Sequence, residues 1–122
     1  MYYKNLATAT ITLAAGDNVV IPAPNPASNQ VGQREHCLHR VYMERVDTTT
    51  DVTLIFKNDA TPAREILPRI TLNSDAGKMW LEFNGVNKGV GGGNAFVVNA
   101  SADGKAKIHV EYSTGTATEW PA

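Results

Sequence analysis

Residues 33–46 read QREHCLHRVYMERV, and the fold class turns on whether this stretch is a helix or a strand. Helical spacing collects Leu38, Val41, Tyr42 and Arg45 on one stripe. Strand alternation collects Cys37, His39, Val41 and Met43 on one face, with a histidine among the apolar positions. A helix would give a β-sandwich with an appended helix; a strand gives an all-β chain. The strand is the better reading, because the segments around it repeat with a period of two.

Three of those segments are clear. In DVTLIFK (51–57), Val52, Leu54 and Phe56 share one face, and Thr53, Ile55 and Lys57 share the other. In KMWLEF (78–83), Met79, Leu81 and Phe83 alternate with Lys78, Trp80 and Glu82. In KAKIHVEY (105–112), Ala106, Ile108, Val110 and Tyr112 point inward while Lys105, Lys107, His109 and Glu111 meet water. One buried and one solvated face is the mark of an antiparallel sheet.

Shorter runs, ATITLAA, NVVIP, REILPRITL and NAFVVNA, complete the pattern. Turn residues divide them at Gly16-Asp17, Asn58-Asp59, Asp75-Ala76-Gly77, Asn84-Gly85 and Asp103-Gly104. Short strands with a turn about every ten residues describe a sandwich or barrel. Pro68 has no amide to donate, so its strand lies at an edge or starts late. Residues 22–32, PAPNPASNQVG, hold too many prolines for helix or ladder and read as an extended loop, either a surface connection or a recognition arm. Residues 1–10 read as a possible N-terminal arm. The polar C-terminal stretch ends near Trp120, which docks back or touches a neighbour.

The chain of 122 residues fits one domain spanning 1–122, and a domain of that size buries roughly two-thirds of its unfolded surface. A net charge of −1, with Lys and Arg dispersed, gives no basic face for nucleic acid. Cys37 is the single cysteine, so no intrachain disulfide forms. No run approaches the about 18 apolar residues of a membrane span. Thr8, Thr10 and Thr12 break the N-terminal segment in strand-like alternation, which argues against a signal peptide.

The constellations that carry chemistry are weak. His36, Cys37 and His39 form HCLH, but on a strand His36 and Cys37 point to opposite faces, and no zinc spacing accompanies them. They read as a buried cysteine and two partly exposed histidines. Cys37 with His39 lacks the orienting partner and cleft of a nucleophile, and Glu82 and Glu111 fall on solvent faces. The glycine run 87–98, NKGVGGGNAFVV, gives G-x-G-x-x-N through Gly89, Gly91 and Asn94. A dinucleotide loop needs a third glycine and a following helix to bind phosphate. Here the sequel is strand-like, so Gly91, Gly92 and Gly93 are expected to be mobile or tightly packed. No catalytic residue, metal or cofactor is expected. Trp80, pointing away from the Met79 face, is a ligand platform, a subunit contact or part of a second buried face.

The second half of the chain, VTLIFKNDATPAREILPRITL (52–72), DAGKMWLEFNGV (75–86) and GGNAFVVNASADGKAKIHVEY (92–112), resembles small phage proteins of the capsid-decoration or head-stabilising type. The likeness is one of strand order and spacing and runs from residue 19 to 112; the 22–32 loop and HCLH do not map onto it. It implies an antiparallel β-sandwich, jelly-roll-like, of about eight strands. It also implies a homotrimer, made in the host cytoplasm, that locks a major capsid protein on the virion surface without catalysis. Candidate capsid or subunit contacts are Tyr2 and Tyr3 in the arm, Pro24 and Pro26 in the loop, Trp80, and Trp120; Tyr42 and Val46 are further candidates for threefold packing. The rival reading is a carbohydrate- or receptor-binding β-module of a tail or fibre, using Trp80, Trp120, Tyr2 and Tyr3 against a glycan.

Overall fold

The computed structural model describes residues 6–24, 34–47, 49–83 and 88–115. These hold nine strands and no helix: β1 Ala7–Thr12, β2 Gly16–Ile21, β3 Glu35–Arg45, β4 Val52–Asn58, β5 Ile70–Leu72, β6 Lys78–Glu82, β7 Lys88–Gly89, β8 Phe96–Ala100 and β9 Ala106–Gly115. The ambiguous stretch is therefore the long strand β3. Residues 7–10, read above as the end of an arm, are the first part of β1.

Every pairing is antiparallel. One sheet runs β1-β9-β3-β6, with β7 also on β3; the other runs β2-β8-β4-β5. Gly89 and Lys88 pair Cys37 and Leu38, while β6 pairs residues 40–44 of the same strand. So β6 and β7 are two pieces of one edge. Counted that way there are eight strands, paired as nested shells: β1 with β9, β2 with β8, β3 with β6/β7, β4 with β5. That nesting across two sheets is the jelly roll. Pro68 precedes β5, a three-residue edge strand, as its missing amide requires.

The core lies between the sheets. β4 alternates without a fault, burying Val52, Leu54 and Phe56, and β9 buries Ala106, Ile108 and Val110, with Tyr112 packed at the margin. β3 does not alternate. Leu38 faces Tyr112 and Arg40 faces Glu111, so His39 is an extra residue in a β-bulge. The bulge puts two residues, His39 and Arg40, between the inward-facing Leu38 and Val41, both fully buried. A spacing of three is what made the segment resemble a helical stripe.

The glycine run closes the other end of the sandwich. Gly91 has φ 118° and Gly93 φ 74°. A Cβ on Gly91 would stand 2.7 Å from Asn94 Nδ2 and 3.0 Å from Asn58 Nδ2. The Gly91 amide donates to Glu35 Oε2 at 2.7 Å, and the Gly93 amide donates to the Arg34 carbonyl at 2.8 Å. The amides of Gly91 and Gly93 are thus held by the protein itself; Gly91 is closely packed, while Gly92 and Gly93 are exposed.

Candidate functional site

β-strand alternation sends every second residue of the β1-β9-β3-β6 sheet to solvent, and the register arranges them in rows. Thr10 pairs with His109, His109 with Tyr42, and Tyr42 with Trp80, one residue from each strand. Next to this central row runs Thr8–Glu111–Arg40–Glu82, and on its other side Thr12–Lys107–Glu44–Lys78. Directly opposed side chains are within contact reach. A long-range pairing has thus gathered an aromatic and imidazole row between two charged ones.

Trp80 is 50% exposed at the β6 end of the centre row, on the face away from Met79 and Leu81, as the alternation implied. Tyr42 meets it edge-on, with ring centroids 5.0 Å apart. The Arg40 guanidinium lies over the indole, 4.9 Å from its centroid, a cation–π distance. The indole Nε1–H donates to Glu82 Oε1 at 2.7 Å. Arg40 in turn binds Glu82 at 3.2 Å and Glu111 at 3.4 Å. Those two carboxylates bracket a cation rather than facing each other across a cleft. At the β1 end, Thr10, Tyr42, Glu44, Lys107 and His109 line a depression of about 250 Å³. Thr10 Oγ1 and His109 Nδ1 are hydrogen-bonded within it.

The HCLH residues do other work. His36 is buried, not partly exposed as its sequence suggested. Its Nε2–H donates to the Pro22 carbonyl, which can only accept, and Nδ1 takes the Thr114 hydroxyl, both at 2.7 Å. Pro22 follows β2, so this ring ties the two sheets together at the foot of the proline-rich segment. His39 Nε2 meets Ser113 Oγ at 2.7 Å. Cys37 is buried, and burial pushes its thiol pKa up, away from thiolate.

Burial also lowers the pKa of His36, against the opposing pull of its Pro22 hydrogen bond. His39 is lowered by burial too, opposed by Glu111. A lowered folded-state pKa means the unfolded chain binds more protons, so the stabilisation is full above about pH 6.5 and is lost as pH falls toward the folded values. Urea midpoints measured at pH 7.5 and 5 are therefore expected to drop on acidification. In His36→Gln that drop shrinks; an unchanged drop would rule His36 out as its source.

Of the candidate contacts read from sequence, Trp80 is on this face and Pro24 is half-buried just after β2. Tyr2, Tyr3, Pro26 and Trp120 lie outside the described residues. Val46, beyond β3, is 55% exposed. Arg40, Glu44, Lys107 and His109 were not singled out as a group. Their alternation marks them as solvent-facing, but their assembly into rows depends on pairings that the sequence does not spell out.

Fold and face together define a jelly-roll sandwich that presents an open, aromatic-centred sheet surface. No protein-family signature matches the chain, and no curated protein matches it. Among solved structures it is similar to the tomato aspermy virus structure determined by X-ray crystallography. The identity is 9%, over 97% of this chain and 82% of that one, with a TM-score of 0.40.

Proposed function

We propose that the protein is a non-enzymatic virion structural protein that binds the outer surface of an assembled phage capsid and stabilises it. The supporting observation is the Trp80–Tyr42–Arg40 cluster on β3 and the edge strand β6 of an open sheet face. Trp, Tyr and Arg are the residue types that dominate protein–protein hot spots, where a rim of polar groups surrounds them. The jelly roll adds a compact frame that is used in viral capsid proteins among others. A protein that binds the assembled lattice and not its free subunits stabilises the shell by mass action.

The test is co-sedimentation with assembled shells and, separately, with free capsid subunits. Binding to shells alone, with a raised shell melting temperature, is the expected result; no binding to shells would sink the proposal. Removing residues 1–5, which carry Tyr2 and Tyr3, is expected to weaken that binding while leaving β1 in place.

The glycan reading draws on one observation, the depression between Thr10 and Lys107 beside two aromatic rings. Against it, the Arg40 guanidinium already stacks on the indole that a sugar would use. Glycan-array binding abolished by Trp80→Ala would favour the sugar.

A further inference from the structure

The two outer rows of the exposed face carry opposite charge patterns. From β1 to β6, one reads Thr12, Lys107, Glu44, Lys78: neutral, positive, negative, positive. The other reads Thr8, Glu111, Arg40, Glu82: neutral, negative, positive, negative. Position by position the signs invert across the central row Thr10–His109–Tyr42–Trp80. A face with that symmetry is complementary to itself.

We propose that this face binds a second copy of the same chain, about a twofold axis lying along the aromatic row. That rotation lays each strand over its own counterpart, reversed in direction, and exchanges the two charged rows. Lys78 then opposes the partner's Glu82, Glu44 opposes the partner's Arg40, and Lys107 opposes the partner's Glu111. The aromatic rows meet each other at the centre. Because the contact is isologous, each pair occurs twice. A threefold contact is of the other kind, joining two different patches, so the homotrimer implied by the family resemblance would need a different surface.

The local geometry prepares the face for this. Arg40 and Glu82 hold the indole from above and at its Nε1–H, so Trp80 has little freedom left to lose on binding. In the opposite row, Lys78 and Lys107 make no ion pair among the described residues, and Glu44 accepts only the Tyr42 hydroxyl there, at 3.3 Å. Among the described residues, none of these three charges has a partner of opposite sign. The burial of Trp80 and Tyr42 supplies affinity, and the charge rows fix orientation and exclude other registers.

This inference rests on reading the face as a protein contact; a second copy and a capsid would compete for that one face, and because the dimer is tested without any capsid, its failure leaves capsid binding standing. Sedimentation velocity of the purified chain across a concentration series is expected to show a reversible dimer. Lys78→Glu/Lys107→Glu opposes like charges across the axis and is expected to weaken the dimer by about tenfold or more. Mixing that variant with Glu82→Lys/Glu111→Lys restores opposite signs at the reversed positions, so association is expected to recover in the mixture. Trp80→Ala, a truncation at an exposed site, gives a second probe and is expected to dissociate the dimer with its thermal unfolding little changed. A wild-type monomer at high concentration, a trimer, or a dimer indifferent to both substitutions would overturn the proposal.

Discussion

Replacing Phe56 with alanine is expected to cost about 3–5 kcal/mol of stability and to lower Tm by roughly 10–20 °C. Phe56 has no exposed surface, and it stands on β4 with its ring nearly parallel to that of Phe96, centroids 6.4 Å apart and planes 11° from parallel. Both rings belong to the β2-β8-β4-β5 sheet, and they fill the interior it shares with Leu38, Val41 and Ile108 of the opposite sheet. Truncation removes most of one ring from a close-packed layer. The flanking strands are held in register by their ladders, so they cannot close over the void, and the cavity cost adds to the lost transfer energy. Native domains hold only about 5–15 kcal/mol in total, so the variant would be marginal. Phe56→Leu keeps an apolar group at the site and is expected to cost clearly less. Chemical denaturation followed by far-UV circular dichroism measures both. A Phe56→Ala loss below about 1 kcal/mol would mean that the two sheets can collapse together at this point, contrary to the packing argument.

The parts of the fold that repeat locally were readable in the sequence. Val52, Leu54 and Phe56, and Ala106, Ile108 and Val110, are buried where period-two alternation put them, and Trp80 points outward for the same reason. β3 was harder because its bulge at His39 breaks the period, and a broken period of two mimics a helical step. The surroundings, not the segment, decided it correctly. His36 was misjudged as partly exposed because its burial depends on the Pro22 carbonyl and on Thr114, which is 78 residues away. The physical cause of the glycine run is not legible in the sequence. Gly89 has the Glu35 carboxylate where its Cβ would be, and Glu35 precedes it by 54 positions in the chain. The candidate site follows the same division. That Thr10, His109, Tyr42 and Trp80 face solvent is local information. That they form one row is not, since Thr10 and His109 lie 99 residues apart.

The jelly-roll nesting explains why that row exists at all. Pairing the first strand with the last places β1 beside β9, and pairing the third with the sixth places β6 beside β3. The four strands of this sheet therefore come from the two ends and the middle of the chain. A surface built in this way forms only when this sheet is complete from β1 to β6. Self-association or docking through it, as proposed, would then be open to the folded chain and not to its unfolded state, and would add to the stability of the native fold.

Asn58→Ala is expected to be the most damaging polar substitution, at about 2–4 kcal/mol. Asn58 ends β4 and is buried. Its Nδ2 donates to the Val90 carbonyl at 3.0 Å, and its Oδ1 accepts the amides of Ala60 at 3.1 Å and Arg64 at 3.0 Å. One side chain thus joins a central strand to the 59–64 loop and to the edge piece that leads into Gly91. Alanine leaves a buried carbonyl and two part-buried amides without these partners, and the cost of unsatisfied groups exceeds the worth of the bonds themselves. Asn58→Asp separates the two halves of this role. A carboxylate keeps the contacts to Ala60 and Arg64 but turns an acceptor toward the Val90 carbonyl, where a donor is required. Protonation restores a donor, so the folded state raises the pKa of the introduced acid above its unfolded value of about 3.9. The sign follows: stability is recovered below that value and lost as pH rises through the folded pKa. Urea unfolding at pH 7 and pH 4 should therefore find the gap between Asn58→Asp and the parent narrowing in acid, while Asn58→Ala stays equally impaired at both. An Asn58→Asp chain as stable as the parent at pH 7 would mean that Val90 finds another donor and that the clamp rests on the two amides alone.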